Sequence, residues 1–422
     1  MTQRSTLKTL IASLLFTPMI SVASTTLVTS SANDGPGSLR EALASGADVI
    51  EIDESVGTIF ITETLEYTGF VALQVVGTGQ MIDGSGLTDN LAPIFEVSNG
   101  ADLSMFDLSL DGGGGYDYFN PGGGKGIFVN VPEDRTGVVS LKLAGVSVYD
   151  VGNHGIHVSD CSLGDDCGGG SGGGGEGSPA SIEVKLVDVL VDGVGFGKQD
   201  ADGVRVDDRN DGDISFSAVN SVFVNVGADG VELDEGNDGS VFLEVRNNVF
   251  YANGAYCLPW NDDPVEGAPC DDDGDADVDD GFDVDEAGDG SIEGFVRNNY
   301  VVDNYDEGLD FDEEDDGGFD IVLASNVAVG NEDEGVKLSE EDGGSIHAML
   351  RSHYSEDNNG SREGIEIEEE DGGAVTVVVT GSDFVGGDDE VLKIEEDGGD
   401  GGTVKVRGSS VVLDLDGIDM NY

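Results

Sequence analysis

The chain has 422 residues and a formal net charge of −69, from 87 acidic against 18 basic side chains. That balance excludes nucleic acid as a partner, because phosphate backbones are held by Lys and Arg, and it opposes binding to anionic membranes. Hydrophobic residues make up 38% and there are 67 glycines, enough apolar content for a core that is interrupted by many tight turns.

Residues 1–23 read as a secretory signal. Arg4 and Lys8 precede the apolar run TLIASLLFTPMISVA, and Ser21, Val22 and Ala23 supply a small-residue cleavage site. The run is too short for a membrane anchor and Pro18 interrupts it. No later segment approaches the ~20 apolar residues that span a bilayer. The mature chain, 24–422, is therefore expected outside the cytoplasm. It would be secreted, at the cell surface or periplasmic, in a bacterium of Gram-negative type from a marine or saline habitat.

SLREALAS (38–45) has the pattern of a short amphipathic helix, expected to cap the open end of an apolar interior. VIEID, TIFIT, ALQVVG and DLSMFDLSL then alternate apolar and polar residues, the period of strands. Three long insertions follow: Gly-rich 111–124, Gly-rich 162–179 and Asp-rich 257–279. Loops of this length in a regular fold are expected to border a binding surface. Tyr116, Tyr118, Phe119, Tyr256 and Trp260 lie in or beside them and suit stacking on sugar rings.

GNHGIHVSD (152–160) is the most distinctive polar cluster. With Asp150 it offers His154, His157 and Asp160 as weak catalytic or metal candidates. The four cysteines fall in two close pairs, Cys161 with Cys167 and Cys257 with Cys270. In an exported chain these are expected to be local disulfides, with free thiols or a zinc site near His154 and His157 as the alternatives.

From Asp202 one unit recurs at a spacing of 27 residues, with an insertion before 280 and two extra residues before 363. DGVELDEGNDGSVFLEVRNNVFYANGA (229–255) is representative. Each unit carries three short alternating runs, which describe three strands per coil of a stacked solenoid. Aligning the units gives one row of Val204, Val231, Phe282, Leu309, Val336, Ile365 and Leu392. A second row holds Val206, Leu233, Val284, Phe311, Leu338, Ile367 and Ile394. Both rows are apolar throughout and are expected to point inward. Asn248, Asn299 and Asn326 fall in register with Ser221, His353 and Ser382. Asn253, Asn304, Asn331 and Asn358 form another row. Stacked Asn side chains at turns can bond from coil to coil. The predicted fold is all-β: one parallel β-helix over 24–422, with irregular coils at 24–201 and regular acidic repeats at 202–416.

RNNVFYANGA, RNNYVVDNYDEGLDF and the MIDGSG of residues 81–86 resemble the right-handed parallel β-helix proteins of the pectate-lyase-like superfamily. LVTSSANDGPGSLREALASG is similar to the CSLREA segment at the start of many exported bacterial β-helix proteins, with Gly37 where the Cys would stand. The resemblance implies fold and little about activity, since this architecture hosts lyases, hydrolases, adhesins and surface proteins.

Beyond the second apolar row, two acidic positions follow one another. The first holds Asp207, Asp234, Asp285, Asp312, Ser339, Glu368 and Glu395. The next holds Asp208, Glu235, Glu286, Glu313, Glu340, Glu369 and Glu396. Both are read as outward columns. Stacked ~4.8 Å apart, like charges repel by ~1 kcal/mol in water and more in a lower dielectric. Ca²⁺ along the columns, screening by a saline medium and protonation are the three ways to offset this. Asp271, Asp273, Asp275 and Asp277 alternate in a second calcium-type loop that departs from the EF-hand pattern.

Two functions compete. One is a surface or extracellular structural or glycan-binding module whose acidic columns hold divalent cations, Ca²⁺ above all. The other is a polysaccharide lyase or glycoside hydrolase, with polysaccharide as partner in both. Lyase chemistry beside a uronate needs basic groups. Arg205, next to Asp207 and Asp208, is the nearest approach to such a pattern. The apparent lack of further basic subsites favours the first function.

Overall fold

The computed structural model describes residues 23–161, 177–257, 279–358, 363–385, 391–398 and 401–420. The signal segment, Cys167, Cys270, Trp260 and the Asp271–Asp277 loop lie outside the described residues. Cys161 and Cys257, the other members of the expected pairs, are both buried.

Every ladder pairing between named strands is parallel, and the pairs join each coil to the next. A coil of the regular region has three strands, for instance Val204–Asp208, Ile214–Val219 and Val222–Val224. The first strands of successive coils stack into one sheet, and the second and third strands form another. Earlier coils fuse their second and third strands into longer ones, such as Leu103–Asp111 and Gly137–Tyr149. The fold is a parallel β-helix.

The two predicted apolar rows are inside. All fourteen side chains from Val204 to Leu392 and from Val206 to Ile394 are fully buried. The insertion before 280 leaves the stack intact, since Leu233 pairs with Val284 as directly as Val206 pairs with Leu233. Phe216, Phe250, Phe282 and Phe311 meet inside with ring centroids 5.6–5.9 Å apart. Such edge-to-face and tilted packing adds to simple area burial.

Both Asn rows form ladders. Nδ2 of Asn248 donates to Oδ1 of Asn299 (3.2 Å), and Nδ2 of Asn299 to Oδ1 of Asn326 (3.1 Å). In the other row Asn253, Asn304, Asn331 and Asn358 are linked at 2.8–3.0 Å. The Oδ1 atoms of Asn299, Asn304, Asn326, Asn331 and Asn358 also accept the main-chain N–H of the Asn in the preceding coil, and those of Asn248 and Asn253 accept from Ser221 and Val226. The residue before each ladder position bends the chain. Asn220, Asn247, Asn298, Ser325 and Ser352 have φ between 51° and 57°, the left-handed region that Asn tolerates at low cost.

The N-terminal helix is real but short. It spans Leu39–Ala44, with Ser38 accepting from the Glu41 N–H and the Glu41 carboxylate accepting from the Gly37 N–H. It buries Leu39, Ala42 and Leu43 beside the first strands. The structure does not support the expected cap: six residues make fewer than two turns.

The acidic columns need a larger correction. Side chains alternate along a strand, so Glu235, two residues beyond the inward Leu233, returns to the interior. Asp208, Glu235, Glu286, Glu313, Glu340 and Glu369 are at most 1% exposed, and Glu396 is 4% exposed. Only the other column, Asp207 to Glu395, lies on the outer side of the sheet. The two acidic positions read as neighbouring surface columns are on opposite faces.

Candidate functional site

Three outward columns cross the first-strand sheet. The first holds Lys125, His154, Asp202, Asp229, Asp280, Glu307 and Glu334; the carbonyls from His154 to Glu334 accept from the preceding coils' glycine N–H groups in one regular series. The second holds Phe128, His157, Arg205, Glu232 and Asp283 in direct register. The third holds Asn130, Ser159, Asp207, Asp234, Asp285 and Asp312. Along the helix axis this face changes from basic and aromatic to almost wholly acidic.

At the basic end, side chains from three coils form a chain of contacts. Nε2 of His157 lies 2.6 Å from Oδ2 of Asp207. A carboxylate only accepts, so Nε2 carries the ring proton and Nδ1 is the acceptor. Nζ of Lys125 sits directly against that Nδ1. Arg205 holds the far end: its Nε donates to Oδ1 of Asp207 (2.7 Å), one terminal nitrogen to Asp234 (2.8 Å) and the other to Glu232. Arg209 forks onto Asp234 from the same side. His154 packs against His157 with centroids 4.6 Å apart, and its Nδ1 accepts from the Asp202 N–H at 3.0 Å. Lys125 also lies 4.3 Å over the Phe128 ring.

The electrostatics follow from burial. Arg205 and His157 are 1% and 8% exposed. Burial and the Lys125 charge lower His157 to about 4, so the ring is neutral at ordinary pH. Burial also lowers Lys125 to about 8. Although burial opposes it, the Arg205 guanidinium and His157 hold the Asp207 carboxyl well below the usual carboxylate range. The result is a fixed carboxylate, a neutral imidazole with its acceptor nitrogen aimed outward, and an amine that titrates near neutrality. Lys125 is the partly exposed member.

Of the sequence candidates, His154, His157 and Arg205 come together on this face. Asp150 and Asp160 do not join them. Asp150 sits at a left-handed bend (φ 51°) with Asp111 and Asp192. Asp160 is turned inward, accepting from the Ser178 and Arg209 N–H groups. Lys125 was missed. Its signal was position, two residues before the inward Ile127 as His154 is two before Ile156.

At the acidic end, carboxylates converge in overlapping sets. Asp229, Asp280 and Asp283 form one, Glu232, Asp283 and Asp285 a second, and Asp280, Glu307 and Asp310 a third. In each the oxygens lie within 4.8 Å of one another. Burial and neighbouring acids raise Asp229, Asp280, Asp283 and Asp285 well above their ordinary value. Oδ1 of Asp280 is buried without a hydrogen-bond partner among the described residues. Such an oxygen set fits a hard divalent cation. Of the predicted metal residues, Asp207 and Asp234 are taken by Arg205 and Arg209, Asp285 belongs to a converging set, and Asp312 faces Lys337. Asp208, Glu235, Glu286 and Glu313 lie on the other side of the sheet.

Beside the face, Tyr118 packs on Tyr256 and Phe119, with centroids 5.9 and 5.4 Å away. Phe119 is largely exposed. A separate concavity of about 410 Å³ lies on the second-strand face, lined by Phe242, Phe295 and Lys185.

No family model matches the chain, and no curated protein matches it in sequence. Among solved structures it is similar to the A-module of the mannuronan C-5 epimerase AlgE4 of Azotobacter vinelandii. The identity is 13%, with 91% of this chain and 94% of that one covered and a TM-score of 0.50. The AlgE6 A-module of the same organism matches at 11% identity, 93% and 97% coverage and a TM-score of 0.45. A lacto-N-biosidase from Eubacterium ramulus matches at 12% identity, 92% and 68% coverage and a TM-score of 0.43. At these identities the likeness is one of fold: the chain is a parallel β-helix protein.

Proposed function

We propose that this protein acts on an anionic, uronate-containing polysaccharide by proton transfer at the carbon next to the uronate carboxyl, as a lyase or epimerase. The observation that carries this is the Asp207–His157–Lys125 chain, in which a fixed carboxylate and a neutral imidazole stand behind an amine of pKa about 8. Abstracting such a proton needs a base poised near the working pH and positive charge near the substrate carboxylate. Lys125 supplies the base in its neutral form, and His157, fixed by Asp207, accepts a hydrogen bond from it. Arg205 positions Asp207 without reaching solvent. The likeness to a mannuronan epimerase module supports the substrate class, and the exposed Phe119, packed on Tyr118, supports sugar stacking.

Ca²⁺ at the Asp229–Asp280–Asp283–Glu307–Asp310 end would resolve the repulsion between an acidic face and an anionic polymer, bridging carboxylates of both. An exported location, from the signal-like residues 1–23, fits a polymer substrate. A non-catalytic glycan-binding module is the second reading, favoured by how little of the buried His157–Arg205 pair reaches solvent.

The test is to incubate the full chain with alginate and with polygalacturonate in deuterated water with Ca²⁺. Deuterium entering the polymer, or ultraviolet absorbance from an unsaturated uronate, is the expected result, and Lys125→Ala should abolish it. Binding without either signal overturns the catalytic reading in favour of the module. Absence of binding overturns both.

A further inference from the structure

The interior carboxylate column does not take part in the site above. It begins at Asp160 and continues through Asp208, Glu235, Glu286, Glu313, Glu340, Glu369 and Glu396, at the corner between first and second strands. Neither oxygen of Glu235, Glu286 or Glu313 has a hydrogen-bond donor among the described residues, and neither does Oε2 of Glu340. What meets these oxygens is one another: carboxyl groups of Glu235 and Glu286, of Glu286 and Glu313, and of Glu313 and Glu340 face each other across successive coils. The charges acting on Glu313 and Glu340 include further acids, Asp315, Asp342 and Glu369. Facing carboxyl groups buried this way must be neutralised, either by protons or by a cation between them.

A second observation says what fits. Four residues beyond each of these acids stands a glycine: Gly239, Gly290, Gly317 and Gly344. A Cβ at any of them would fall within 3.0 Å of two oxygens. One is the carboxylate of the same coil's Glu, and the other is the carbonyl of the preceding coil's glycine, from Gly212 to Gly317. Each of these glycines therefore lets a carboxylate and a carbonyl oxygen from adjacent coils approach the main chain where any side chain would collide with them. Carboxylate and main-chain carbonyl oxygens from adjacent coils are the donor set of a calcium ion. A shared proton would need only the carboxyl pair.

We propose that the Glu235–Glu286, Glu286–Glu313 and Glu313–Glu340 gaps each hold a Ca²⁺ ion, forming an internal file of cations along the corner of the helix. This file is separate from any calcium on the outer face and independent of the polysaccharide reading. Its ions join consecutive coils, so they contribute to stability through binding the folded chain alone.

The experiment measures calcium retained by the full chain after gel filtration, together with the thermal midpoint. The proteins are the wild type, Glu286→Gln, and an outer-face Asp280→Asn/Asp283→Asn double variant. Glu286→Gln should lose the ions of both gaps that it lines, while the double variant keeps all three internal ions. Chelation should lower the wild-type midpoint by about 5 °C or more, restored by calcium and not by sodium chloride. If Glu286→Gln does not fold, chelation and calcium restoration on the Asp280→Asn/Asp283→Asn double variant, which lacks outer-face ligands, decide instead. A midpoint indifferent to chelation, but falling as pH rises from 6 to 9, would mean shared protons and overturn the proposal. Loss of all retained calcium in the double variant alone would overturn it equally.

Discussion

Nδ1 of His157 faces Nζ of Lys125 while its Nε2 is held 2.6 Å from Asp207, so one imidazole joins residues of three successive coils. If this is a proton-transfer chain, removing either end should matter. Lys125→Ala and Asp207→Asn should each lower turnover of a uronate polymer about 10²–10⁴-fold, the range for a positioned acid–base group. The base is the neutral amine, so the rate should rise as pH rises through about 8, the Lys125 value. Lys125→Arg, which stays protonated, should abolish that limb. A pH–rate profile checks both.

Arg205 is enclosed by Asp207, Glu232 and Asp234. Arg205→Met would take the guanidinium from three buried carboxylates, of which Asp207 keeps His157 and Asp234 keeps Arg209, and should cost about 3–5 kcal/mol in denaturant unfolding. Arg246, partly exposed and 3.2 Å from the more exposed Glu244, makes the control. Arg246→Met should change stability by about 0–1 kcal/mol.

Within the first Asn ladder, Asn299 accepts from both the main chain and the side chain of Asn248 and donates to Asn326. Asn299→Ala would leave the Asn248 N–H buried without a partner. A loss of about 2–3 kcal/mol is expected, several lost bonds and one orphaned donor together. Equilibrium unfolding in urea measures it.

His353 ends that ladder with both ring nitrogens unpartnered among the described residues and the side chain buried. Burial lowers its pKa to about 4, from 6.5 in the free side chain. The unfolded chain therefore binds the proton more readily. The stability that depends on the neutral ring is whole above pH 6.5 and is lost as pH falls from there toward 4. His353→Asn should continue the ladder from Asn326, raise stability by about 1 kcal/mol and remove this acid-sensitive component. Thermal midpoints of the two proteins across that pH window are the measurement.

The inward rows and both ladders were legible because a two-residue alternation and a 27-residue spacing coincide from Asp202 onward. The inner acids were misplaced although the same alternation puts Glu235 inside with Leu233. The expectation that a carboxylate faces water outweighed the geometry. The relay was not legible for a different reason. Lys125, His157 and Asp207 are 32 and 50 residues apart, across irregular coils and an insertion. No fixed spacing marks them. The cap failed because a plausible amphipathic octapeptide yields only six helical residues.

The 21-residue segment 258–278 enters between two coils, yet Leu233 still pairs with Val284. The stack therefore behaves like a text read in a fixed frame. Material added at a corner is skipped, and removal of one full unit, such as 307–333, returns every column to itself. A deletion of one residue inside a strand would instead turn the carboxylates of Asp234 and Glu235 inside out. The length of this protein is thus a free variable in steps of one coil, and the chemistry on its face can be spaced without redesigning what lies beneath it.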